Sequence, residues 1–142
     1  MAKKKNNTFT AKKSAKKTPF KEAESDYSAH KPMFTFYYMK YGGPYCVSRC
    51  NRDHKADIAG QITALSQFTW NYINQQPRET YGHEQIPLKQ FRTTNFPSEI
   101  VTPDVKSLMV FRYNGGGRLA GVRVHDIYHV ILAGPDIYPH LH

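Results

Sequence analysis

Carboxylates are scarce in this sequence, and so are the residue patterns that mark most enzymes. It holds 11 Asp and Glu against 20 Lys and Arg, with one Trp and two Cys. The acidic residues are dispersed, so no pair is spaced as glycosidase chemistry requires. Cys46 and Cys50 are too few to build a structural zinc site alone, and their spacing is not that of a redox pair. Reduced, unpaired thiols are the expectation. There is no HExxH, and His83-Glu84 lacks the second histidine that would complete it. His125, His129, His140 and His142 crowd the C-terminal end without a recognised ligand spacing, so no metal site and no cofactor are expected. GxSxG, Walker A and GxGxxG are all missing. No apolar run approaches the roughly 20 residues that span a bilayer. The first residues are charged and lack the apolar centre of a secretory signal. A cytoplasmic location and no membrane partner are expected.

What is abundant is positive charge and aromatic rings. Net charge is +9, with 10 Tyr and 8 Phe among 142 residues. That balance favours anionic partners, nucleic acid first. Nine lysines and three acidic residues fall within 1–31, leaving net +6 there and +3 on the other 111 positions. This segment has two isolated Phe and no apolar periodicity, so it cannot bury enough surface to offset ordering entropy. It is expected to be a disordered, lysine-rich arm. Lys3, Lys4, Lys5, Lys12, Lys13, Lys16 and Lys17 recur in clusters that suit a tether for a polyanion.

Residues 32–142 are expected to form one α+β domain. The aromatic stretch 33–41 looks like a first strand. Gly42-Gly43-Pro44 signals a turn, with a short return strand over 45–48. Ile58, Ile62, Leu65, Phe68 and Tyr72 recur at helical spacing and predict one helix over 54–76, capped by Asn51 or Asp53 and stopped by Pro77. Residues 78–104 read as loop with a short strand near 88–92. The clearest β pattern follows: strands over 107–113, 118–124 and 127–133, joined by Asn114-Gly115-Gly116-Gly117 and by His125-Asp126. Alternation puts Leu119, Gly121 and Arg123 on one face and Ala120, Val122 and Val124 on the other. Tyr128, Val130 and Leu132 likewise oppose Ile127, His129 and Ile131. The fold class is therefore an antiparallel sheet, with a C-terminal three-strand meander and one main helix packed on it.

The meander also carries the candidate chemistry. Arg112 and Arg118 flank one hairpin turn, which brings them close. Arg123, His129, Tyr138 and His140 follow. Arginines can clamp a phosphodiester and stabilise charge in its transition state. Histidine or tyrosine can move the protons of the attacking 2′-hydroxyl and the leaving 5′-oxygen. Arg112, Arg118, His129, Tyr138 and His140 are thus candidate catalytic residues, with Arg123 and the arm lysines as nucleic-acid contacts. The rings of Phe34, Phe36, Tyr37 and Tyr38 are either core or, if exposed, a stacking surface for bases.

The block from Val110 to His140 resembles the last strands of the RelE/ParE superfamily of small bacterial toxins. Those end in an Arg-bearing strand, a hairpin, further strands and a terminal basic-plus-Tyr stretch. The chain resembles more closely still some small basic mobile-element proteins, through Thr69, Trp70, Ile73 and the closing Gly-Arg to Tyr-Pro segment, a likeness that carries no activity with it. The toxin resemblance implies messenger-RNA cleavage at the ribosome without a metal, or gyrase inhibition on the ParE side, and an antitoxin partner. RelE-like toxins place two helices after the first strand, where this sequence predicts one. The alternative is a non-catalytic protein of phage or mobile-element origin that binds nucleic acid or inhibits a host protein.

On the RNA-directed reading, RNA binding should depend steeply on salt. If arm and sheet together neutralise about six phosphates, log affinity should fall with log salt at a slope of roughly −5 in an anisotropy titration.

Overall fold

A computed structural model of the chain describes residues 27–139. The lysine-rich clusters of the expected arm and His140 lie outside them. Within them, the chain runs β1 (Met33–Thr35), α1 (Arg52–Leu65), α2 (Trp70–Asn74), β2 (His83–Pro87), β3 (Ser107–Arg112), β4 (Arg118–Val124) and β5 (Ile127–Gly134). The five strands form one sheet in the order β1-β5-β4-β3-β2. The α+β class holds, with α1 as the main helix. The β3-β4-β5 meander is antiparallel, and β2 adds to it antiparallel. The first strand departs from expectation by pairing parallel to β5, Met33 opposite Ile127 and Thr35 opposite His129. The sheet is therefore mixed.

Local chemistry explains most boundaries. Asn51 caps α1, its side-chain oxygen accepting from the His54 amide at 2.8 Å. The expected single helix over 54–76 is split. Ser66 turns its hydroxyl back onto the Ile62 carbonyl at 2.7 Å. Thr69 then caps a new helix by accepting from Tyr72 N at 3.1 Å. The break matters for packing, because it buries Trp70 and Ile73 and leaves Tyr72 exposed. The first strand ends at Thr35, and the expected return strand over 45–48 is a turn leading into a 3-10 helix, Val47–Arg49. Its chain still docks on the sheet, since Ala133 N donates to the Tyr45 carbonyl at 2.9 Å. The short strand expected near 88–92 lies earlier, at β2, and a 3-10 turn Leu88–Gln90 follows it. Cys46 and Cys50 are both free.

Each sheet face carries its own apolar cluster. On the helix side, Ile58, Leu65, Trp70 and Ile73 pack against Phe111, Leu119, Tyr128 and Val130. On the other side, Leu108, Val110, Ala120, Ile131 and Leu132 pack against Phe91, Ile137 and Tyr138. Segments 86–105 and 38–45 thus roof a face that a one-helix architecture would leave open. A register shift between Ala120 and Gly121 pairs Leu132 with Ala120 and Val130 with Gly121. Ile131 is the extra residue, as in a β-bulge. Past the bulge the alternation inverts, so Leu132 joins Ile131 on the roofed face and Ala133 joins the helix side. Gly121 is required at this point: a Cβ there would lie 1.9 Å from the His129 carbonyl oxygen.

Two histidines are held below the ordinary imidazole range. Burial does this at His129; at His83 burial acts first and the nearby Arg123 charge adds to it. The fold favours the neutral form of both, so the unfolded chain binds protons more readily once pH drops below about 6.5. Stability should be full above that pH and decline as pH falls toward the lowered folded values. Urea midpoints should be level from about pH 8 to 7 and fall from about pH 6.5 downward, with a shallower fall in His129→Phe.

Candidate functional site

Arg112 and Arg118 are register partners across the β3–β4 hairpin, as the short Gly-rich turn implies. Tyr138 joins them through a hydrogen bond with Arg118. Two of the three are sealed, however: Arg118 and Tyr138 are each only 3% exposed, while Arg112 is half-buried. One guanidinium nitrogen of Arg118, Nη1, donates to the carbonyls of Asn114, Gly115 and Gly117 at 3.4, 3.3 and 2.9 Å. Asn114 in turn accepts from the amides of Gly116 and Gly117 at 3.0 and 2.6 Å. Arg118 therefore holds the turn together from inside. Burial pushes the Tyr138 hydroxyl up, which the Arg118 hydrogen bond only partly offsets. The Nε atoms of Arg112 and Arg118 are buried with no hydrogen-bond partner among the described residues.

His129 is not part of that group. It pairs with Val122, four residues along β4 from Arg118, which is about 13 Å of strand. Its ring lies against Tyr38 with centroids 5.3 Å apart, and its Nδ1 is buried without a hydrogen-bond partner. Among the described residues, no group of three or more His, Cys, Asp or Glu side chains is arranged to hold a metal ion.

A denser gathering of titratable groups sits at the opposite end of the sheet, where β4 turns into β5. Tyr27, Ser28, Arg123 and His125 line an open cavity of about 260 Å³. His30 Nδ1 lies 3.4 Å from Asp126 Oδ2, a long contact that orients the ring. The Tyr27 ring meets both imidazoles, His30 edge-on at 5.6 Å and His125 tilted at 4.4 Å between centroids. Arg123 Nε donates to the His125 carbonyl at 2.6 Å, and its guanidinium stands 4.2 Å from the centre of the Trp70 ring. His125 adopts a positive φ of 59°, a left-handed conformation that costs a side-chain-bearing residue about 1 kcal/mol. Such strain recurs where a side chain is held for function.

Trp70 fixes this arrangement from beneath. Its indole Nε1 donates to the Asp126 carbonyl at 3.1 Å, and its backbone N donates to the His30 carbonyl at 2.9 Å. Thr69 makes that placement by starting α2 one residue earlier. Of the residues in this cluster, sequence reasoning marked only Arg123 as a contact. It assigned Tyr27 and His30 to the arm and treated His125-Asp126 as a plain turn. A signal existed in the pairing of a strand opening, Met33, with a turn, but it requires a parallel register. Parallel pairing seats the residues just before β1 beside those just before β5, and Met33 N donates to the Asp126 carbonyl at 3.0 Å.

Replacing Trp70 should expose this dependence. Trp70→Phe should cost about 2 kcal/mol, from one lost hydrogen bond and some lost volume, and Trp70→Ala about 4 kcal/mol. Urea unfolding measures both, and NMR of the His30 and His125 ring protons should show their Tyr27 ring-current shifts shrinking in the Phe variant.

Compared with known proteins, the chain matches no family model, no curated protein and no solved structure.

Proposed function

We propose that the chain is an RNA-directed toxin of RelE-like build that cleaves messenger RNA by internal phosphoryl transfer, with His30 and His125 as its proton-transfer pair. The observation that carries this reading is the open cavity at the β4–β5 turn, lined by Tyr27, Ser28, Arg123 and His125, with the His30–Asp126 pair held beside it through the Tyr27 ring. A donor Nδ1 facing Asp126 leaves the His30 Nε2 lone pair for substrate. It takes the 2′-hydroxyl proton, the 2′-oxygen bonds to phosphorus, and the P–O5′ bond breaks as His125 protonates the leaving 5′-oxygen. The products are a 2′,3′-cyclic phosphate and a 5′-hydroxyl, and no co-reactant is consumed. Arg123 contributes positive charge beside the phosphate.

Two further features support the reading. The split of the expected helix leaves two helices after the first strand, the order that RelE-like toxins use. The lysine-rich residues 1–26 precede Tyr27 in the sequence and add positive charge that attracts a polyanion. Arg112, Arg118 and Tyr138 then serve the hairpin that supports the sheet, and His129 lies along the path of a bound strand.

A second reading has its own observation. Tyr37 and Tyr41 are 80% and 88% exposed with the exposed Lys40 between them, a surface on which a non-catalytic RNA binder would stack bases. The two separate on one measurement. Purified protein, alone and with ribosomes programmed with a defined messenger, is assayed for new 5′-hydroxyl ends. Cleavage should fall about 10²- to 10⁴-fold in His30→Ala and in His125→Ala, vanish on 2′-deoxy substrate, and persist in Arg123→Lys at reduced rate. Tight RNA binding with intact RNA would replace the toxin reading by the binder. Undiminished cleavage in the His30→Ala, His125→Ala double variant would remove the named site.

A further inference from the structure

We propose that the groove between residues 38–45 and 93–97 is a nucleobase pocket that gives single-stranded RNA recognition a base preference. The proposal rests on RNA being the ligand and is independent of whether the turn cluster cleaves it. The groove encloses about 260 Å³. Tyr38 and Tyr45 form its aromatic wall, Ile131 and Leu132 its floor, and Lys40 and Asn95 its polar rim.

The walls are held in place. The Tyr38 ring is braced by Tyr37 at 4.9 Å and by His129 at 5.3 Å between centroids. Tyr45 is tied to β5 by the hydrogen bond its carbonyl accepts from Ala133. The floor exists because the β-bulge places two successive residues, Ile131 and Leu132, on the same face. On the far side, Thr93 Oγ1 accepts from the Asn95 amide at 3.0 Å and sets the bend that carries Asn95. A pocket preorganised in this way loses little entropy when a ring enters it.

Its chemistry fits a base on a phosphate chain. Flat aromatic sides stack on the π-face of any base. The Asn95 side-chain amide makes no hydrogen bond among the described residues, so it offers a donor and an acceptor together, as the edge of an unpaired base requires. Lys40 is exposed at the rim, and no acidic residue lines the groove, so the adjoining phosphate meets only positive charge. The groove also lies on a continuous route from the turn cluster. Its floor begins four residues along β5 from Ile127, about 13 Å, and the His129–Tyr38 contact spans the interval.

The test uses the full chain and 5′-labelled tetranucleotides of A, C, G or U with 2′-fluoro sugars, which bind but cannot cyclise. Anisotropy should show one base bound at least about tenfold more tightly than the poorest. Asn95→Ala should flatten that preference while keeping affinity for the weaker bases within about twofold. Tyr45→Ala should weaken all four by roughly fivefold to hundredfold. Asn95 is exposed, so its variant serves as the readout if Tyr45→Ala does not fold. Equal binding of the four oligonucleotides, unaltered in Asn95→Ala, would overturn the pocket while leaving RNA as the ligand. No binding of any oligonucleotide by wild type, alongside intact messenger in the cleavage assay, would instead overturn the RNA reading beneath it.

Discussion

Trp70 is the joint on which this architecture turns. It is fully buried, and its two nitrogens hold two distant pieces of chain: the Asp126 carbonyl through the indole and the His30 carbonyl through the backbone. Its ring face carries Arg123. One residue thus ties the start of α2 to the approach of β1 and to the β4–β5 turn. The apolar area it buries stabilises the core by a few kcal/mol, while its single N–H adds direction that area alone lacks. Without that direction β1, only three residues long, would have three ladder pairs to fix its place.

The two sheet faces have solved different problems. The helix side is an ordinary apolar seam, filled by Phe111, Tyr128, Leu119 and the helices. Tyr128 is buried there, and its hydroxyl donates to the Met109 carbonyl at 2.5 Å, as a buried phenol must find a partner. The opposite face has no helix, so irregular chain roofs it. Backbone under such a roof needs polar partners, and the hairpin end shows how they are supplied. Arg118 points inward and satisfies three turn carbonyls, where an aliphatic residue would leave them bare. A charged residue on a strand beside glycines therefore serves architecture here, although its composition matches a phosphate clamp.

The two ends of the sheet differ in access. At the β3–β4 end, Arg118 and Tyr138 are enclosed, and the Arg118 hydrogen bonds go to the turn carbonyls. At the β4–β5 end, the histidines are exposed and one is oriented by a carboxylate beside an open cavity. The strained His125 backbone and the Arg123 bond to its carbonyl set the ring's direction at a conformational cost.

Sequence by itself determined the elements whose signals are local. Alternation and the Gly-rich turn located β3, β4 and β5 to within a residue or two, Asn51 or Asp53 marked the start of α1, and the α+β class followed from their order. It could not determine what depends on pairing between remote segments. Thr69 and Trp70 continue a helical apolar pattern, so the break after Ser66 is invisible until Trp70 is seen to require its own helix start to reach Asp126 and His30. The bulge at Gly121 moves Leu132 across the sheet, and period-two alternation has no means to announce it. Arg118 looks solvated after three glycines because burial of an arginine depends on carbonyls its own turn presents only when closed. The parallel register of β1 against β5 decided the rest: together with Trp70 it brings His30 beside Asp126 across 96 positions, since hydrogen bonding between strands sets direction and position through space, where spacing along the chain carries no information.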